Sequence, residues 1–213
     1  MTQPALLQLD EVSCWHGAHQ AVESVNLVLH PGDHVALIGG NGSGKTTLLR
    51  AVLGLHPRYA GRIRLDGKEA RTAADWQARR RRIAYMPQRQ AAGQFPLRVQ
   101  ELLASSQHLA AAQVAAQKLG VSHLSERPLH TLSGGQLQRV FLARALGALS
   151  AEAGLLIADE PSAALDFAGQ TAMAEALAEL SATLLIVTHD RRVVARCTRV
   201  VEMAGGSLNE VGA

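Results

Sequence analysis

The segment Gly39-Gly40-Asn41-Gly42-Ser43-Gly44-Lys45-Thr46 fits the spacing G-x-x-x-x-G-K-[ST]. It follows a short apolar run, His34 to Ile38, and precedes a helical stretch, Thr46 to Leu55. A buried strand, a glycine loop and a helix in that order confine the chain to an α/β fold with a phosphate-binding loop. The glycines let the backbone wrap around phosphate groups, so that several N–H groups point inward. The helix that starts near Lys45 adds the positive end of its dipole. Lys45 can reach the outer phosphates of a nucleotide, and the Thr46 hydroxyl can ligate Mg²⁺.

A second station lies downstream, where the apolar run Leu155-Leu156-Ile157-Ala158 ends in Asp159-Glu160. Carboxylates at the carboxyl end of a buried parallel strand sit where α/β folds bind ligands. Asp159 is expected to hold Mg²⁺ through water. The alternation of a pleat turns Glu160 the other way, toward a water that it can polarise.

The rest of the pattern fills in an architecture around these stations. Residues 6–12 and 24–30 alternate apolar and polar positions, as half-buried strands do. Arg62 to Leu65 with Asp66-Gly67 reads as a strand and turn. Residues 98–119, rich in Ala and Leu at helical spacing, read as a helical insert. Helix is expected from Gln136 to Leu149, Ala172 to Leu180 and Arg191 to Cys197. Strands are expected at Leu184 to Thr188, Arg199 to Met203 and Ser207 to Val211. Gly147 to Gly154 reads as a surface turn.

Composition narrows the class. With 213 residues the chain is one domain. A formal net charge of +3 selects no partner by itself. The only dense basic cluster, Arg79 to Arg82, reads as a solvated helix end; it lacks the interleaved aromatics of a nucleic-acid patch, so no nucleic-acid partner is expected. Cys14 and Cys197 are the only cysteines and form no CxxC, which argues against structural zinc and disulfides. No signal peptide is visible, and no apolar run approaches the roughly 20 residues that span a bilayer. A cytoplasmic location follows as the expectation, and in transport another polypeptide must supply the pore.

Leu132-Ser133-Gly134-Gly135-Gln136, followed by Leu137-Gln138-Arg139-Val140, resembles the signature motif of the ABC ATPases. The resemblance covers essentially the whole chain and implies an ATP-hydrolysing transporter subunit with ATP and Mg²⁺. It implies a P-loop core, an N-terminal antiparallel β subdomain and a small helical subdomain at about residues 89–135, all within one domain spanning 1–213. Ser133, Gly134, Gly135 and Gln136 would close over the nucleotide held by Gly39, Asn41, Gly42, Ser43, Gly44, Lys45, Thr46 and Thr47 of a second copy. Gln88 resembles the glutamine that senses the metal and the water and contacts the permease. Asp166, in Ser162-Ala163-Ala164-Leu165-Asp166, resembles the D-loop aspartate, and His189 the switch histidine beside Glu160. Either Trp15 or His16 is placed to stack on adenine.

Partners implied by the resemblance are a second copy, an integral-membrane permease and, indirectly, an extracytoplasmic binding protein. They place the chain on the cytoplasmic face of the membrane. The stretch Phe95-Pro96-Leu97-Arg98-Val99 after Gln88 is similar to that of zinc, manganese and iron importers, as is the early pattern from His16 to Val25. Phe95 would then face the permease, or else serve as an ordinary core residue. A non-metal cargo, or a soluble ABC-type ATPase acting on nucleic acid or ribosomes, is the alternative.

Overall fold

The computed structural model describes residues 4–88 and 97–211. Two sheets share the work. β1 (Leu7–His16), β2 (His19–Leu29), β4 (Tyr59–Leu65) and β5 (Lys68–Glu69) form an antiparallel sheet in the order β2-β1-β4-β5. The second sheet contains β3 (His34–Ile38), β6 (Ile83–Met86), β7 (Leu155–Asp159), β8 (Thr183–Val187), β9 (Arg199–Ala204) and β10 (Ser207–Val211). Its order is β10-β9-β3-β8-β7-β6, parallel from β9 to β6, with β10 antiparallel at the edge.

The central strands are buried on both faces, which explains why they read as unbroken apolar runs. The pleat divides their side chains. Leu155 and Ile157 of β7, with Leu185 and Val187 of β8, enter a core shared with the antiparallel sheet and α1 (Lys45–Val52). Leu156, Ala158, Leu184 and Ile186 enter the opposite core, beneath α5 (Gly134–Ala151) and α6 (Phe167–Ala178). A third core joins α3 (Val99–Ala104) and α4 (Leu109–Lys118) to Val140 and Ala143 of α5. A short α7 (Arg191–Val194) follows β8. Among the described residues, no helix is long and apolar enough to cross a membrane.

Several expectations need correction. The insert at 98–119 is two helices, because Gln107 takes a left-handed φ of 69° between them. Gly147 lies in the helix expected to Leu149, and α5 runs on to Ala151, so the surface turn expected from Gly147 is confined to the residues after it. A Cβ at Gly147 would stand 2.7 Å from both the Ala112 Cβ and the Ser106 Oγ, so the glycine is what lets α5 and α4 meet. The sequence reading reaches only the end of helix α2 (Ala73–Arg82), at Arg79 to Arg82, and omits the strand β6, although Thr72 and Asp75 form a capping box that marks the start of α2. Nor is Arg79 part of a solvated end. It is 4% exposed, and its guanidinium donates to the carbonyls of Ile63 at 2.7 Å and Lys68 at 3.2 Å, tying α2 to the antiparallel sheet. The early strands are longer than expected and join as one hairpin over 7–29.

Candidate active site

The carboxyl ends of β3, β6, β7 and β8 lie side by side, and each hands the chain to a loop carrying polar groups. This is the edge where open α/β sheets bind ligands. The loops surround an open cavity of about 410 Å³ lined by His16, Asn41 to Thr47, Gln88, Asp159, Glu160 and His189, among others. Residues as far apart in the sequence as His16 and His189 thus meet at one place.

The phosphate loop is held from outside by close backbone contacts. Gly44 has φ 106°, and a Cβ there would lie 2.3 Å from the Ala21 carbonyl oxygen of β2. At Gly39, with φ 140°, a Cβ would lie 2.1 Å from the Met203 carbonyl oxygen of β9. No other residue type fits either position. Gly44 caps α1 without a side-chain hydrogen bond, so the first N–H groups of the helix open toward the cavity. Lys45 is 8% exposed, and its Nζ donates to the Gly39 and Gly40 carbonyls at 2.7 and 2.8 Å. Burial lowers its pKa, while Glu160 and Asp159 oppose that shift.

Asp159 closes β7 at 2% exposure and accepts from the Thr46 hydroxyl at 3.1 Å. Burial raises its pKa against the Thr46 hydrogen bond and the charges of Lys45 and Arg50. Thr46 and Asp159 offer hard oxygen donors of the kind Mg²⁺ takes. Among the described residues no group of three or more His, Cys, Asp or Glu side chains forms a metal cage.

Glu160 does not continue the pleat, as the sequence suggested. It leaves the strand with φ 52°, a left-handed conformation that costs energy for a residue with a Cβ. Its N–H donates to the Val187 carbonyl at 2.8 Å, and its own carbonyl accepts from Gln138 Nε2 at 3.2 Å. The carboxylate meets His189 twice, at 3.4 Å from Nε2 and 3.4 Å from the backbone N–H. Burial pushes the Glu160 carboxyl above the ordinary glutamate range, with His189 acting in the other direction.

The other expected residues fall into two groups. Thr47 and His16 line the cavity, and His16 Nε2 lies 3.1 Å from the Thr47 hydroxyl. His16 also meets His56 edge to face at 4.9 Å. Trp15 is not part of the lining; Arg58 sits over its ring at 5.7 Å. Gln88 reaches the cavity rim. Ser133, Gly134, Gly135 and Gln136 do not line it. Ser133 caps α5 from an exposed position, in a capping box with Gln136 at 3.3 and 3.0 Å. Asp166 caps α6 by accepting from the Gly169 N–H at 2.8 Å. Sequence reasoning passed over His19, which lines the cavity, and Gln138, buried at 4% exposure on a helix that otherwise buries small and apolar residues.

A family model described as ABC transporter matches residues 22–163. The chain belongs to the ABC transporter family. The zinc import ATP-binding protein ZnuC of Pseudomonas putida is 38% identical over 201 residues, covering 91% of this chain and 72% of that protein. The manganese transport system ATP-binding protein MntB of Halalkalibacterium halodurans is 32% identical over 202 residues, covering 87% and 77%. Among solved structures, cbiO1 from Clostridium perfringens, described as part of the ABC transporter complex cbiONQ, is 28% identical. It superposes with a TM-score of 0.80 over 97% of this chain and 88% of that one. The protein is thus the ATP-binding subunit of an ABC transporter and an ATPase of the P-loop α/β class, as the signature motif led us to expect.

Proposed function

We propose that this ABC ATPase clamps Mg²⁺-ATP between its own phosphate loop and the start of α5 from a second copy. On this reading it works on the cytoplasmic face of a membrane and drives zinc or manganese import through a separate permease fed by an extracytoplasmic binding protein. The observation that carries the chemistry is the convergence of Lys45, the Thr46–Asp159 pair, Glu160 and His189 on one cavity. The N–H groups of the loop and the Lys45 ammonium bind the phosphates. Thr46 and Asp159, with Gln88 at the rim, would hold Mg²⁺, which when bound neutralises phosphate charge. Glu160 accepts a proton from water as the water attacks the terminal phosphorus in line, and the bond to the ADP oxygen breaks. His189 fixes the carboxylate and stays beside the phosphate.

His16 is the better candidate for adenine stacking, because it lines the cavity and Trp15 does not. The exposed α5 start, set apart from the cavity, supports the two-copy clamp. The metal cargo rests on the zinc and manganese names of the relatives and on the stretch after Gln88. In that stretch Phe95 and Pro96 lie outside the described residues. Val99, at 0% exposure, belongs to the core of α3 and α4, and Arg98 pairs with Glu126 at 2.8 Å. Deleting the gene should impair growth under metal chelation, with rescue by zinc or manganese. Unchanged growth and unchanged cellular zinc and manganese would remove the cargo assignment and leave the ATPase assignment standing.

A further inference from the structure

A buried amide joins two parts of the chain that the clamp uses for different nucleotides. Gln138 sits on α5 five positions after Ser133 and is 4% exposed. Its Nε2 donates to the carbonyl of Glu160 at 3.2 Å, and its Oε1 accepts from the N–H of Ala164 at 3.3 Å. Both ends of the carboxamide are therefore used, one on the residue placed at the hydrolytic centre and one on the loop that leads to Asp166. The same loop packs against the start of α5, where a Cβ at Gly134 would lie 3.0 Å from the Ala164 Cβ and one at Gly135 would lie 3.2 Å from Leu165. Glu160 itself needs support, because its φ of 52° is strained and such strain persists only where the surroundings over-determine it. A buried polar side chain on a helix core is costly unless both of its polar atoms are satisfied, and here both are.

We infer that Gln138 is a positioning residue that holds the Glu160 backbone in its left-handed conformation and links it to the start of α5. Movement of α5 when Ser133 engages the partner's nucleotide is thereby carried to Glu160 in the same protomer. The connection is a contiguous one: α5, the Gln138 amide, the Glu160 carbonyl and the Ala163–Asp166 loop. Gln138 is not among the residues that line the cavity, so its effect falls on the turnover step rather than on binding. This inference rests on the reading of Glu160 as the base.

The test uses the subunit purified with its permease. Gln138→Leu removes both hydrogen bonds and keeps the volume. It should lower kcat by about 10–100-fold, the cost of a misplaced catalytic group, while the KM for ATP stays within about threefold. Gln138→Glu supplies the sharper readout. A neutral carboxylic acid donates and accepts as the amide does, whereas a carboxylate cannot donate to the Glu160 carbonyl. Burial raises the pKa of such a carboxyl. The ratio of Gln138→Glu turnover to wild-type turnover should therefore rise as pH falls, and the Gln138→Leu ratio should stay flat. A wild-type kcat in Gln138→Leu, or a Gln138→Glu turnover well below wild type that does not recover as pH falls, would overturn the inference, the second result holding even if the Leu variant fails to fold. Glu160→Gln run alongside separates the two ideas. If it abolishes turnover while Gln138→Leu does not, only the positioning role is lost. If Glu160→Gln turns over normally, the base assignment falls first.

Discussion

On the proposed clamp, the phosphate loop and the start of α5 are both glycine-rich anion cradles at a helix N-terminus, yet the fold treats them differently. The phosphate loop is assembled from distant parts of the chain. Ala21 of β2 and Met203 of β9 press on its glycines, Asp159 meets Thr46, and Lys45 is buried within it. The α5 start is satisfied by four consecutive residues, with Ser133 and Gln136 capping each other at the surface. One is a finished half of a site. The other begins at an exposed Ser133 and stands apart from the cavity.

The contrast can be broken most forcefully by chemistry. Glu160→Gln keeps the shape of the cavity and removes the base, so turnover should fall by more than about 100-fold while ATP still binds and the clamped dimer accumulates. Ser133→Arg should abolish turnover as completely. Its affinity for ATP in the monomer should stay within about threefold, because the lesion lies on the other cradle. Turnover assays paired with nucleotide titration of each variant decide this. A large loss of monomer affinity in Ser133→Arg would erase the distinction between the two regions.

A smaller effect tests whether the two regions are separately supported. Gly147→Val places methyl groups where even a Cβ lies 2.7 Å from Ala112 and Ser106. Such overpacking typically costs about 1–3 kcal/mol. The melting temperature should drop by about 2–4 °C for each kcal/mol in a chain of this size. ATP binding at low temperature should survive, because the phosphate loop lies against β2 and β9 and not against α4.

The smallest effect is electrostatic. Burial raises the folded-state pKa of Glu160. A raised carboxyl pKa means that the ionised group destabilises the fold above that pKa, and that the penalty vanishes below the unfolded value. Nucleotide-free Glu160→Gln should therefore melt above wild type near pH 8, with the difference closing as pH falls through the carboxyl's titration. A Gln variant that melts lower at the alkaline end would contradict the assignment of a burial penalty to Glu160.

How far the sequence carried this account depended on where the information lay. The phosphate loop, the apolar strand before Asp159 and the helix after Ser133 were legible because each is a local pattern with a single physical reading. The central strands were legible for the same reason, since burial on both faces leaves an unbroken apolar run. The conformation of Glu160 was not, because a left-handed turn at a glutamate is imposed by Val187, Gln138 and His189 and leaves no local mark. Arg79 misled for a similar reason: four arginines in a row look solvated, and only the approach of β4 and β5 buries the first of them. The reason for a glycine at 147 was not legible, because its need, close approach to α4, is tertiary. Gln138 could have been noticed as a polar residue on the buried face of an otherwise apolar helix, but its two partners come from a loop more than twenty residues away.

The claim at the centre of this account is that the two cradles serve the same ATP only across two copies of the chain. Differently tagged subunits, in a Glu160→Gln background that retains ATP, test it by the nucleotide trapped per dimer. Pairing a Lys45→Ala subunit with a Ser133→Arg subunit puts both lesions on one composite site and leaves the other intact, so one ATP should be trapped. Pairing a subunit that carries both substitutions with one that carries neither damages both composite sites, so none should be trapped. The reverse outcome, none in the first pairing and one in the second, would show that each chain closes its own cradle over its own nucleotide.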